Sequence, residues 1–83
     1  MKIDVRYFAW LRERIGQGSE SIETSAQTVQ ELVAELAALD DRHAAAFADM
    51  SAVRVAVDQD LSDLSAPLKG VREVAFFPPM TGG

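Results

Sequence analysis

The sequence predicts an α+β domain, a small mixed β-sheet crossed by one main helix, with an extended tail at its carboxyl end. Three observations carry that prediction. Apolar residues near the start and in the second half alternate at period two, as half-buried strands do. Between them runs an apolar stripe at three- and four-residue spacing, headed by a capping sequence, as an amphipathic helix requires. The chain then closes on Val74-Ala75-Phe76-Phe77-Pro78-Pro79-Met80-Thr81-Gly82-Gly83. Here an apolar strand is stopped by two prolines and followed by residues too few and too glycine-rich to fold alone.

The elements follow in order. In the stretch Lys2 to Phe8, Ile3, Val5 and Tyr7 share one face and Lys2, Asp4, Arg6 and Phe8 the other, which predicts the first strand. Leu11 and Ile15 are four apart, with polar residues between and Gly16 placed to end a short helix. Trp10 reads as its partly buried anchor. Ser21-Ile22-Glu23 predicts a short second strand paired with the first. Thr28-Val29-Gln30-Glu31 fits a capping box, and Val29, Leu32, Val33, Leu36 and Leu39 form the stripe of the main helix. Asp40 or Asp41 would cap a further helical turn through Ala44-Ala45-Ala46-Phe47.

His43, beside Arg42 on that polar turn, is expected in solvent and outside any chemistry. Val53, Val55 and Val57 predict another strand, with Asp58-Gln59-Asp60 as its turn. Asp58, Asp60 and Asp63 lack the glycine and the further oxygen ligands of a calcium loop, so they read as turn formers. Leu61, Leu64 and Leu68 are expected to bury beneath the connection, with Pro67 punctuating it. Gly70 turns the chain into a last strand, Arg72 to Phe77. The order holds too few helical crossovers for a doubly wound sheet. A helix across a mixed sheet, with the last strand near its centre, is the β-grasp arrangement.

Length and composition bound the rest. Eighty-three residues make one domain, with 48% hydrophobic and 25% charged residues, ordinary values for a globular chain. Residues 1–77 are assigned to the domain and 78–83 to the tail. The chain has no cysteine, so disulfides, thiolate metal sites and a cysteine nucleophile are excluded. A net charge of −5 argues against nucleic acid and favours a partner with a basic surface. No apolar run is long enough to span a bilayer, and the start Met1-Lys2-Ile3-Asp4 carries no signal-peptide core, so the expected location is cytoplasmic, away from membranes.

The tail is the candidate functional group. A terminal carboxylate becomes an acyl donor once activated, and glycine lets other surfaces approach that carbonyl closely. Proline stops the sheet ladder at Pro78-Pro79, because it has no backbone N–H, and stiffens the exit. Gly83 is therefore the candidate reactive residue. Phe76, Phe77, Pro78, Pro79, Met80, Thr81 and Gly82 are the candidate partner-binding residues around it. Strand neighbours point to opposite faces, so one of Phe76 and Phe77 is expected to be buried and the other near an interface.

These residues resemble a known family. The ending Glu73-Val74-Ala75-Phe76-Phe77-Pro78-Pro79-Met80-Thr81-Gly82-Gly83 is similar to that of the molybdopterin synthase small subunits, a family of ubiquitin-like sulfur carriers. Tyr7-Phe8-Ala9, Leu11-Arg12-Glu13, Gly16, Thr28-Val29, Leu32, Leu36, Val57-Asp58-Gln59 and Pro67-Leu68 extend the likeness along the whole chain. It departs at Lys69-Gly70-Val71-Arg72-Glu73, where the family usually has an Asp-Gly-Asp-Glu turn, and at Asp58, often asparagine there.

The resemblance implies a mechanism. An adenylyltransferase related to ubiquitin-activating enzymes would use ATP to make a Gly83 acyl-adenylate. A sulfurtransferase would supply sulfur, giving a Gly83 thiocarboxylate. That group would enter the large subunit of molybdopterin synthase and pass sulfur to a cyclic pyranopterin phosphate, forming the dithiolene. It implies no permanently bound cofactor and no metal on this subunit. A thiamine-pathway sulfur carrier and a ubiquitin-like modifier conjugated through Gly83 share the same ending and remain alternatives at this point.

Overall fold

The computed structural model describes residues 1–79. Met80, Thr81, Gly82 and Gly83, expected as the tail, lie outside the described residues. Strands β1 (Lys2–Tyr7), β2 (Ser19–Glu23), β3 (Arg54–Val57), β4 (Asp60–Ser62) and β5 (Glu73–Phe77) form one sheet in the order β2-β1-β5-β3-β4. Helices α1 (Trp10–Ile15), α2 (Val29–Ala37) and α3 (Asp41–Ala46) complete the fold with a short 3-10 turn at Met50–Ala52. β5 is central, parallel to β1 and antiparallel to β3, which is the β-grasp topology expected from the pattern.

Alternation along β1 puts Ile3, Val5 and Tyr7 inside and leaves Lys2, Asp4 and Arg6 outside. α2 turns Val29, Leu32, Val33 and Leu36 onto the same core, where they join Ile3, Val5, Val74 and Phe76. Burying four such side chains is worth roughly 6–12 kcal/mol gross, before chain entropy is subtracted. The Thr28 hydroxyl accepts from the Glu31 N–H at 3.3 Å and so caps the helix. Leu39, placed on this stripe by its spacing, is 53% exposed because α2 ends at Ala37 and the helical period ends with it.

The short helices are set by their ends. Gly16 closes α1 with φ 92°, and a side chain there would meet Arg42 Nη1 at 2.8 Å. Asp40 caps α3 by accepting the His43 N–H at 2.9 Å. Trp10 is partly buried against the core, and the guanidinium carbon of Arg14 sits 5.3 Å from the centre of its ring.

Two further expectations are corrected. Leu61 does not bury beneath the connection. It lies on β4, a strand its short polar surroundings concealed, and is 75% exposed. His43 is not in solvent but 3% exposed, because α3 folds against α1 and α2 and turns the ring inward. There it meets carboxylates from two directions, Asp40 and Glu20. Leu64 and Leu68 do pack on the core, Leu68 completely.

Leu36 is fully buried at the middle of the core. Leu36→Ala is expected to cost about 2–5 kcal/mol in urea denaturation, the usual range for a core cavity; a loss under about 0.5 kcal/mol would place the helix face elsewhere.

Candidate functional site

The site is the end of β5 and the sheet surface around it. β5 is held on both sides. Register pairs run from Asp4↔Glu73 to Tyr7↔Phe76 on β1, and from Val57↔Val74 to Arg54↔Phe77 on β3. A strand paired along both edges has its backbone donors and acceptors satisfied, so its end is a fixed point. Beyond Phe77 the ladder stops, and Pro78 and Pro79 follow outside the strand, each half-buried.

The two phenylalanines separate as the alternation predicts. Phe76 is fully buried, stacked on Tyr7 at 6.3 Å and edge-on to Phe47 at 5.0 Å. Such aromatic pairs add about 0.5–1.5 kcal/mol each beyond burial, enough to root the strand end. Phe77 points to the opposite face and is half-buried.

That opposite face carries no helix. Register places Leu61, Ala56, Ala75, Arg6 and Ser19 in one row across it, with Phe77 and Arg54 in the next. Phe8 follows β1 where Phe77 ends β5 and is 47% exposed. Its N–H donates to the Phe76 carbonyl at 3.1 Å, which ties the two strand ends together. Phe8 and Phe77 are thus large apolar groups on an open sheet face at the end of β5, with Leu61 two strands away on the same face and charged Arg6, Arg54 and Glu73 among them. Arg6 Nε pairs with Glu73 Oε1 at 2.9 Å. Sequence reading assigned neither Phe8 nor Leu61 to the site: it put Phe8 on the outer face of the first strand and expected Leu61 to bury. The available signal for Phe8 was an aromatic in the polar phase of the first strand; Leu61 had none, since β4 spans only three residues.

Two local devices set this face. Ala9 takes φ 55° and ψ −130°, turning the chain from β1 into α1, with the Leu11 N–H donating to the Phe8 carbonyl at 3.2 Å. A side chain is strained in that conformation, and glycine is not. At the other end, Asp58 and Gln59 both have positive φ, the hairpin geometry that places β4 beside β3. The Asp58 carboxylate also accepts the Arg72 and Glu73 N–H groups at 3.0 Å each. It clamps the turn into β5, the segment where the sequence departs from the family's pattern.

Of the expected site residues, Phe76, Phe77, Pro78 and Pro79 are brought together at one sheet end. Met80, Thr81, Gly82 and Gly83 lie outside the described residues. Among the described residues no helix is long and apolar enough to cross a membrane.

Strain at Ala9 has a measurable consequence. Ala9→Gly is expected to stabilise the fold by roughly 1 kcal/mol, the relief of an unfavourable backbone exceeding the added freedom of the unfolded chain. Chemical denaturation checks it; a destabilised variant would mean that the Ala9 methyl makes a contact that outweighs the strain.

Comparison with known proteins follows the geometry. The ThiS family model matches residues 5–83. The molybdopterin synthase sulfur carrier subunit of Escherichia coli is 41% identical over 98% of this chain and 99% of its own length. That of Haemophilus influenzae is 36% identical over the same shares. Among solved structures, SAMP1 from Haloferax volcanii superposes with a TM-score of 0.79 over the full length of both chains at 21% identity, a likeness of fold. Subunit 1 or 2 in the protein–protein complex of molybdopterin-converting factor from Helicobacter pylori matches with a TM-score of 0.65 and 26% identity, again over all of both chains. A whole-chain match to the family model, curated relatives above one-third identity, and a shared β-grasp topology agree: this chain belongs to the ThiS family, alongside the molybdopterin synthase sulfur carrier subunits.

Proposed function

We propose that this protein is the sulfur carrier subunit of a molybdopterin synthase, with the Gly83 carboxylate as the group that carries sulfur. The carboxylate attacks the α-phosphorus of ATP on an adenylyltransferase related to ubiquitin-activating enzymes, releasing pyrophosphate. A persulfide of a sulfurtransferase then adds to the acyl carbon and AMP leaves; a second thiol cleaves the S–S bond of the acyl disulfide so formed, becoming a disulfide itself and releasing the thiocarboxylate. The resulting thiocarboxylate passes its sulfur to a cyclic pyranopterin phosphate in the large subunit. Each delivery joins the sulfur to a substrate carbon as a Gly83 thioester, which water cleaves at the acyl C–S bond to return the Gly83 carboxylate; two deliveries form the dithiolene.

In this reading the chain's own residues bind and aim, while acid–base groups belong to the partners. The observation that carries it is the junction of β5 with the open face. A central strand, fixed on both edges, ends beside exposed Phe8 and half-buried Phe77, with exposed Leu61 on the same face two strands away. That is the arrangement of a docking face whose apolar centre sits at the root of a tail. Pro78-Pro79 limits the freedom lost when Met80, Thr81, Gly82 and Gly83 enter a narrow channel. The large-subunit partner is supported by the likeness to the Helicobacter pylori two-subunit complex. The family relatives above one-third identity carry the sulfur-carrier name, which favours this reading over a thiamine-pathway carrier or a protein modifier. A cytoplasmic location goes with these partners.

Two experiments test it. A chain extended by one residue after Gly83 is expected to keep its circular dichroism spectrum and lose all support of molybdopterin formation by the large subunit; synthesis retained by the extended chain rejects the proposal. Leu61→Asp is expected to change stability by no more than about 0.5 kcal/mol, as exposed positions do. The same change should weaken binding to the large subunit at least tenfold, about 1.4 kcal/mol. Unchanged affinity in calorimetry would move the docking face elsewhere.

A further inference from the structure

A polar cluster that the carrier chemistry does not use lies at the margin of the core, with His43 and Tyr7 buried and Asp40 exposed. His43 Nδ1 lies 2.8 Å from Asp40 Oδ1 and Nε2 lies 2.6 Å from Glu20 Oε2. The Tyr7 hydroxyl donates to the same Glu20 oxygen at 2.6 Å. We propose that His43 is a proton-operated latch: as an imidazolium it clips α3 to the β1–β2 side of the sheet, and loss of its proton as pH rises releases the clip.

Proton counting carries the proposal. A neutral imidazole has one N–H and one lone pair, so it can donate to one partner only. Both ring nitrogens here face carboxylate oxygens at hydrogen-bond distance. With both carboxylates ionised, only the doubly protonated ring donates in both directions. Deprotonation would leave a nitrogen lone pair against a carboxylate oxygen, inside a site where the ring is 3% exposed. It would also raise the cluster's net charge from −1 to −2. The arrangement is not a metal centre, since the two carboxylates sit at opposite ring nitrogens and cannot close on one ion; among the described residues no metal-holding group occurs.

The surroundings leave those groups in control. Glu20 faces the ring from β2, Tyr7 from β1 and Asp40 from the cap of α3 itself. α1 and α2 face the core with Leu11, Ile15 and Leu36, while their charged residues Arg12, Glu13, Arg14, Glu31 and Glu35 are exposed, as is Arg42 on α3. Burial alone would disfavour the charged ring, but the hydrogen bonds it donates to Glu20 and Asp40 outweigh it and raise the His43 pKa above the ordinary value. The same burial, with the bond to Glu20, pushes the Tyr7 phenol far up, so Tyr7 stays a donor throughout.

The sign follows by linkage. A folded-state pKa above the unfolded one, about 6.5 for histidine, gives stability that is complete below that pH and is lost as pH rises through the folded value. The latch therefore holds in mildly acidic solution and opens as pH rises through the folded value, which lies above the ordinary histidine value. Its ring packs edge-on to Tyr7 at 6.1 Å, and Tyr7 stacks on Phe76, one residue before Phe77 at the strand end. The latch thus bears on the packing beneath the tail's root.

His43 is the only histidine of the chain, so its ring signals in nitrogen-15 NMR are unambiguous. The full chain is titrated from pH 6 to 8.5 with ring shifts, α3 amide exchange and the urea midpoint followed together. The latch predicts an imidazolium whose midpoint lies above the ordinary histidine value. It predicts that the urea midpoint falls, and α3 amides exchange faster relative to those of β5, in the same pH step. Asp40→Asn keeps a helix cap and should lower the ring's midpoint; Glu20→Gln should do the same. His43→Gln should remove the pH step, and if it fails to fold, the Asp40→Asn shift decides alone. A neutral ring throughout, a midpoint at or below the ordinary value, or a urea midpoint flat across the ring titration would overturn the proposal.

Discussion

The pairing of β5 along both edges is the constraint on which the rest of the structure depends. Its ladder with β1 fixes the sheet's parallel centre, and its ladder with β3 brings the second half of the chain back to the first. Because both edges are satisfied by neighbours, β5 cannot slide without turning Val74 and Phe76 out of the core and Glu73, Ala75 and Phe77 into it. A fixed strand gives a fixed exit. The last hydrogen-bonded residue is Phe77, and proline ends the ladder because it has no N–H to donate. Pro78 and Pro79 leave the sheet from that strand end.

The core secures the strand from beneath, and the open face makes its exit useful. Phe76 interlocks with Tyr7 and Phe47 under the sheet, so the strand end is anchored by aromatic packing as well as by backbone bonds. Above the sheet, Ala56 and Ala75 keep the surface low between Leu61 on one side and Arg6 on the other. Small residues at the centre with large apolar groups at the margins make a shallow surface that a partner can cover while the tail is engaged. Under the proposed function, stability and recognition would be divided between two faces of one strand, with Val74 and Phe76 serving the first and Phe77 the second.

Much of this was legible in the sequence, because the strongest signals are local and periodic. The alternation of Ile3, Val5 and Tyr7, the Thr28 cap and the Val29-to-Leu36 stripe each match a physical period, and each is found where that period places it. Leu39 was misplaced because periodicity does not report where a helix stops; Ala38 ends α2 without a glycine or proline to mark it. Leu61 was misplaced because a three-residue edge strand has no period to read, and its hairpin uses Asp58 and Gln59 at positive φ in place of glycine. His43 was misplaced because its burial depends on Glu20, twenty-three residues away, and no local pattern records such a partner. The open face combines Phe8 and Leu61 from opposite halves of the chain, so it existed only once the strand order was known.

The account's central claim is that the fold is a rigid handle and that the chemistry takes place on the acyl carbon of Gly83. Its most direct test is the mass of the terminal peptide after the protein is incubated with its adenylyltransferase, ATP and a sulfur donor. The account predicts one oxygen exchanged for sulfur, located on Gly83 by fragmentation. A terminal peptide of unchanged mass while ATP is consumed, or Gly83 found in an isopeptide bond to a lysine of another protein, would contradict it.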